Sequence, residues 1–525
     1  MAQKFINTVC FVRTYDYYGT YQPENLTTLQ SHIALYNRLN LPATYLLEYD
    51  ALEREEFRAL LRDNCKAGDE IGLWFEITGG LCEAAGVPWR SKRNRDWDFH
   101  VDPGFIMAYN SEEKVKLCAT VMEKFYGWFG FYPRTVGAWL LDTECMEYFN
   151  THYGMDAYII CREQWGMDGY TLWGGPYFGG YYPSRNNMLT PAQTLENQLE
   201  TPVFRMFVSD PMYSYYEFTH GELNGIGYHL FTQEPTWRYG QDRQWVEWCM
   251  ETLFGGNTEG FSYYQLGQES TFGFGKELER AITMQCQYAL AHQKQYGYQF
   301  VTVSEMGKHF KESYEKTPVN FTSCPYDWAQ LGNQSVWYNS ARYRVNLFAH
   351  GNELRIRDIH LFDDLYCDRY AQEPCRKPGA IYDNLPIVDG VRFTEGCDDR
   401  NIPRSSEFIG KRYGDAAGLY LDAPAKITDI CRYEDEFCLR VNHGEYVITL
   451  RTDSVEISRD MYKQFRLRFV HKNELPYLAE TAEKELLLKH RDYTYRLVLE
   501  SGCVSGDYLQ SENSKIILRF GAVTH

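Results

Sequence analysis

The chain has 525 residues, with 71 acidic against 53 basic side chains and a formal charge of -18. That length exceeds what one hydrophobic core organises, so two domains are expected, and the acidity argues against a duplex nucleic-acid binder, which needs a basic face. Met1–Asn7 carries no apolar signal core, no run approaches the ~18 apolar residues of a membrane span, and the fifteen scattered cysteines form no Cys-x-x-Cys pair, so a reducing cytoplasm is the expected location.

In chain order, residues 7–14 read as a strand ending at Tyr15-Asp16. Pro23 and Asn25 open a helix with apolar Leu26, Leu29, Ile33 and Tyr36. Ala43–Leu47 is a second strand, ending in Glu48 and Asp50, and a charged helix over 51–66 follows it. The third strand, 68–76, ends at Trp74, Phe75 and Glu76. A long loop over 78–110 contains Trp and Phe residues that favour a packed lid. Ser111 is the expected cap of the next helix, whose apolar face is Val115, Cys118, Met122 and Phe125.

The fourth strand, 135–141, is an apolar run that stops abruptly at Asp142-Thr143-Glu144. Buried parallel strands are apolar on both faces, and their C-terminal ends carry the chemistry of α/β folds. Ala157–Cys161 is a fifth strand, followed by a polar loop with Arg162, Gln164, Asp168 and Trp173. A sixth over 203–208 ends at Ser209-Asp210, and a seventh over 261–265 runs to Gln268-Glu269. A helix carrying Leu278, Ile282, Cys286 and Ala289 precedes a final strand and helix start at 300–305.

Strands alternating with helices imply parallel βαβ units, and seven or eight of them fit a (β/α) barrel over residues 1–318. After about residue 318 the helical periodicity gives way to short alternating runs, such as Leu354–Ile359 and Tyr495–Leu499. Residues 319–525 are therefore expected to form an antiparallel β-sandwich.

Several segments resemble the glycoside hydrolase/deacetylase superfamily. Thr14-Tyr15-Asp16-Tyr17, Leu41-Pro42-Ala43-Thr44-Tyr45-Leu46 and Gly68-Asp69-Glu70-Ile71-Gly72 look like the first three strand motifs of polysaccharide deacetylases. The resemblance implies a (β/α)7-type barrel. It also implies metal ligands at positions held here by Tyr17, Trp74 and Thr78, none suited to a divalent metal. Gly137–Asp142 looks like the nucleophile segment of glycoside hydrolase family 57, with Asp142 in the place of its Glu. Gly267–Phe274 resembles that family's acid/base segment, with Gly267 at the Asp position and Glu269 as its substitute. Val301–Glu305 resembles its last strand.

Glycoside hydrolysis needs two carboxyl groups whose pKa values are pushed apart. On this reading Asp142 is the nucleophile or base and Glu269 the general acid, with Asp210 the alternative to either. A helix N-cap is the competing role for Asp142. Asp16, Arg13, Trp74, Glu76, Trp139, Arg162, Gln164, Asp168 and Trp173 would bind a hydroxylated substrate, since polar planar groups beside aromatic rings suit one. No metal or other cofactor is expected, and homo-oligomerisation is left open. A deacetylase or metal enzyme with a rearranged ligand set, and a non-catalytic sugar-binding protein, remain the alternatives.

Overall fold

The structure is a computed structural model that describes residues 3–16, 19–161, 175–206, 238–272, 275–328, 330–378, 380, 384–389, 418–433, 436–460, 463–470 and 477–520. The first half is built on one curled sheet. Its strands are β1 (Lys4–Val12), β2 (Ala43–Leu47), β3 (Glu70–Trp74), β4 (Thr135–Ala138), β5 (Ala157–Cys161), β6 (Gly180–Tyr181), β7 (Val203–Met206), β8 (Ser262–Gly267) and β9 (Gln299–Phe300). They run in the order β8-β1-β2-β3-β4-β5-β7-β6, with β9 also against β1. Every pairing is parallel except β6 with β7.

The expected barrel is only partly realised. Among the described residues no ladder joins β8 to β7 or β6. The two edges nonetheless face each other through side chains. Tyr263 donates its hydroxyl hydrogen to the Arg205 carbonyl at 2.5 Å, and the Phe204 ring lies 5.6 Å from that of Tyr263. Among the described residues the sheet is therefore curled, with its edges in contact but not joined by a ladder. Gly267 lets β8 approach β1 closely, because a Cβ there would stand 1.7 Å from the Val9 carbonyl oxygen.

Helices cover the outside. Helix α1 (Glu24–Arg38) buries Leu29, Ile33 and Tyr36, as its spacing predicts. The charged stretch after β2 divides at Arg54 into Tyr49–Glu53 and a second helix, α2 (Glu55–Asn64). Within the expected loop over 78–110, Gly79–Ala85 forms α3, capped by Thr78. Helix α4 (Ser111–Phe129) is capped by Asn110 in a reciprocal box with Glu113, one residue before the expected Ser111. Its buried face uses Leu117, Cys118, Val121, Met122 and Phe125, whereas Val115 is exposed. Helix α5 (Thr143–Tyr153) follows β4, which is shorter than expected because Asp142 turns the chain into the helix. Helices α6 (Arg243–Phe254), α7 (Lys276–Tyr296) and α8 (Val303–Ser313) follow later in this half. The expected final strand and helix start over 300–305 are the short β9 and the first turn of α8, which Thr302 caps.

The second half consists of a ten-stranded and an eight-stranded antiparallel sheet around a separate hydrophobic core. Thr258–Glu259, from the first half, is the first strand of the larger sheet and pairs with Asn320–Cys324. Among the described residues, no helix is long and apolar enough to cross a membrane.

Candidate active site

The parallel strands converge on Arg13, the residue after β1. Its backbone is pinned from two sides. Arg13 N donates to Ser270 Oγ at 2.9 Å, and its carbonyl accepts from Asn25 Nδ2 at 3.0 Å. The guanidinium then meets carboxylates delivered by three other strand ends. Glu76, beyond β3, places Oε2 2.9 Å from Nε. Glu269, beyond β8, places Oε2 2.9 Å from Nη1. Glu48, directly after β2, has Oε2 3.9 Å from Nε. All four side chains are buried, and Glu48 has no exposed surface.

Three carboxylates around one guanidinium leave a two-charge excess if all are ionised. Burial makes that excess costly, so one carboxyl retains its proton. Glu48 is that group. Burial pushes its pKa up to about 8, the Arg13 charge opposes this, and the negative charges of Glu76 and Asp50 add to the rise. Thr14 donates both its backbone N–H and its hydroxyl to Glu48 Oε1, which also resists the rise. Burial opposes the charge of Arg13, but Glu76, Glu269 and Glu48 together hold its pKa above the ordinary arginine range.

Aromatic rings wall the cluster. The Arg13 guanidinium lies 4.4 Å from the Trp97 ring centroid and 5.9 Å from that of Trp139. Trp139 Nε1 donates to Glu76 Oε1. Trp74 stacks on Phe11 at 4.4 Å and meets Trp139 edge-on at 5.1 Å. Gly137 makes this possible, since a Cβ there would come within 2.8 Å of the Trp74 ring.

Of the residues nominated from the sequence, Arg13, Glu76, Trp139 and Glu269 meet here. Trp74 lies beneath them, fully buried. It backs Trp139 and has no surface to offer a substrate. Asp16 holds a turn, accepting from Thr20 N at 2.8 Å and Gln22 Nε2 at 3.0 Å. Asp142 takes the N-cap role: Oδ1 accepts from Cys145 N at 2.9 Å, and Oδ2 pairs with the buried Lys114 at 2.7 Å. Arg162, Gln164, Asp168, Trp173 and Asp210 lie outside the described residues. Glu48 and Trp97 also meet here, though neither is among the residues nominated from the sequence. Glu48 carried the same signal as Glu76, a carboxylate ending an apolar strand, whereas nothing in the loop sequence singled out Trp97.

The residues present do not fit the metal centre that the deacetylase-like sequence motifs imply. Trp74 is in the core, Thr78 caps α3 by accepting from Leu81 N at 3.1 Å, and the Arg13 guanidinium holds the cationic place between the carboxylates. Tyr17 lies outside the described residues. Among the described residues no three His, Cys, Asp or Glu side chains converge as a metal-ligating group.

No protein-family profile and no curated protein matches the chain. Among solved structures, it is similar to a protein from Parabacteroides distasonis described only by class, as a glycoside hydrolase/deacetylase. The identity is 14%, over 77% of this chain and 93% of that one, with a TM-score of 0.56. That coverage exceeds what residues 1–318 could supply, so the likeness extends into the β-rich half. A polysaccharide deacetylase from Pseudomonas aeruginosa (14% identity, 60% of this chain and 92% of that one, TM-score 0.34) overlaps far less. So does a family 57 branching enzyme from Thermococcus kodakaraensis (11%, 60% and 71%, TM-score 0.28). At these identities the first likeness shows a shared fold and leaves activity to the site.

Proposed function

We propose that the protein is a carbohydrate-acting hydrolase that cleaves a glycosidic bond with carboxylates of the Arg13 cluster. The observation that carries this reading is the gathering of Glu48, Glu76 and Glu269 from three strand ends onto one buried guanidinium. With Glu48 neutral below about pH 8, Arg13 balances only one of the remaining two carboxylates. Two carboxyl groups gathered at strand ends are what a two-carboxylate mechanism requires.

Glu76 serves as the nucleophile or base. Its Oε2 pairs with Arg13 and its Oε1 accepts from the Trp139 indole N–H. Glu269 serves as the general acid toward the leaving oxygen. Glu76 thus takes the place that the sequence motif offered to Asp142, whose carboxylate is occupied by α5 and Lys114. Trp139, which is only partly buried, supplies an aromatic face of the kind sugar rings stack on.

The test is a screen of aryl glycosides, natural disaccharides and acetylated sugars, with and without chelator. Glu76→Gln, Glu269→Gln, Asp142→Asn and Asp210→Asn are assayed alongside. Glycoside hydrolysis should survive chelation and fall by roughly two to four orders of magnitude in Glu76→Gln and Glu269→Gln. Asp142→Asn should retain activity within a few-fold. Acetate release abolished by chelator would replace this reading with a metal-dependent deacetylase. Loss of activity in Asp142→Asn at unchanged stability would return the nucleophile to Asp142.

A further inference from the structure

The Arg13 cluster is shut away from solvent. Arg13 keeps 3% of its surface, Glu76 4%, Glu269 2% and Glu48 none. A substrate meets these groups only after part of their cover has moved. Trp97 belongs to that cover: its ring centroid lies 4.4 Å from the Arg13 guanidinium, and it is itself 5% exposed. Trp139, the other ring beside the guanidinium, is bonded to Glu76 and backed by Trp74, so it is part of the sheet's frame.

Trp97 is carried by residues 88–100, which contain no helix or strand. The loop is held together from within. The fully buried Asp98 carboxylate accepts from Ser91 Oγ at 2.7 Å, Arg93 Nη1 at 3.0 Å and His100 N at 3.2 Å, and pairs with His100 Nδ1 at 2.6 Å. Trp89 Nε1 donates to the Arg95 carbonyl at 2.8 Å. A loop packed on its own side chains keeps its shape while its ends turn. One side of it covers Arg13 through Trp97, and on the other Lys92, Asn94 and Asp96 are exposed, so it stands between the cluster and water. Both ends are anchored. Gly86, in the left-handed region at φ 63°, ends α3 just before the loop, and Val101 N donates to the Pro378 carbonyl at 2.9 Å just after it. Between these anchors, Gly79 N donates to the Asp96 carbonyl at 2.7 Å and Arg90 pairs with Glu113 at 2.6 Å.

We propose that residues 88–100 are a flap, with Trp97 as its plug, that swings as a unit away from Arg13 to open the carboxylate cluster to substrate. The proposal rests on the reading of that cluster as the working site and adds how the site is reached. Asp98 keeps the flap in one piece, and closure excludes water from the cluster, as lids over hydrolytic sites do.

The test reads access to the cluster and not turnover. A Cβ added at Gly79 would lie 3.5 Å from Asp96 Cα, which puts a Gly79→Cys/Asp96→Cys pair within disulfide reach when the flap is closed. The full-length double variant is oxidised, the bond is verified by peptide mass mapping, and a portion is reduced again. The wild type, carried through the same steps, controls for its own cysteines. A water-soluble carbodiimide with glycine ethyl ester then labels accessible carboxyl groups, and mass spectrometry reads the rates at Glu48, Glu76 and Glu269. Asp358, fully buried in the β-rich half, reports global opening. In the reduced protein the cluster should label at least about tenfold faster than Asp358, and the disulfide should slow it by a similar factor without changing Asp358. Trp97→Ala, in the otherwise native chain, should speed labelling of the cluster several-fold. Cluster labelling no faster than at Asp358 in the reduced protein, or unchanged by the disulfide, would overturn the flap. Labelling that the disulfide suppresses in a protein that hydrolyses no glycoside would uphold the flap and count against the proposed reaction.

Discussion

Arg13 and Glu48 decide the electrostatics of the site. A guanidinium with buried carboxylates on two of its nitrogens cannot be replaced by a neutral side chain without leaving uncompensated charge, which costs several kcal/mol. Glu48 adds a pH dependence whose sign follows from its raised pKa. Between about 4.5 and about 8 the folded protein holds a proton on Glu48 that the unfolded chain has released. The contribution of this group to stability is thus fully present below about 4.5 and is lost as pH rises through about 8. Glu48→Gln keeps an oxygen to accept from Thr14 N and Oγ1 and removes the titration. Its melting temperature should match or exceed that of the wild type at pH 9 and gain less than the wild type on going to pH 5. The differential is on the order of a few kcal/mol. Parallel melting curves for the two proteins across that range would show that Glu48 does not retain its proton.

Among the elements, local pattern and tertiary gathering separate cleanly. The alternation of apolar strands and amphipathic helices was legible, because strands such as β1, β2 and β4 are buried on both faces and helices such as α1 and α4 on one. Carboxylates just past β3 and β8 were legible for the same reason. The raised pKa of Glu48 was not, since it arises only when folding buries the side chain and brings Glu76, 28 residues further on, beside it. Nor was closure of the sheet, which depends on contact between edges distant in sequence. Asp142 shows the limit most clearly. A carboxylate following a strand and preceding a helix reads identically as nucleophile and as N-cap, and only the fold shows that Asp142 caps α5 and pairs with Lys114. Asp142→Ala removes the cap acceptor of α5 and leaves the buried Lys114 with Glu144 alone, at 2.9 Å. The expected loss is ~2 kcal/mol or more of stability. Activity per folded molecule should be unchanged within a few-fold at a temperature well below the melting point. A large fall in kcat with little change in denaturation midpoint would reverse that assignment.

At the scale of the whole molecule, the two halves are joined through the core and through the frame of the site. Trp337 of the β-rich half is fully buried against the first half, stacked on Tyr177 at 4.0 Å. Arg344, paired with Asp358, donates to the Gly175 carbonyl at 3.0 Å. Thr258–Glu259 is a strand of the opposite sheet. The segment around Cys375 reaches back to the region that follows Trp97. Cys375 N donates to the Met107 carbonyl at 2.9 Å, Arg376 Nη1 to the Ala108 carbonyl at 3.0 Å, and the Pro378 carbonyl accepts from Val101 N at 2.9 Å. Removing residues 319–525 would therefore strip the edge from Thr258–Glu259, expose the surface that covers Trp337, and release residues 101–108. Burial of one large apolar side chain contributes roughly 1.5–3 kcal/mol, so uncovering several of them removes a large share of the net stability of a domain. A fragment of residues 1–318 should be insoluble or melt without cooperativity, and co-expression with residues 319–525 should recover a soluble two-chain assembly. Size-exclusion chromatography and thermal melts of the fragment, the pair and the intact chain check this. A monomeric 1–318 fragment that melts cooperatively near the temperature of the intact protein would show the first half to be self-sufficient.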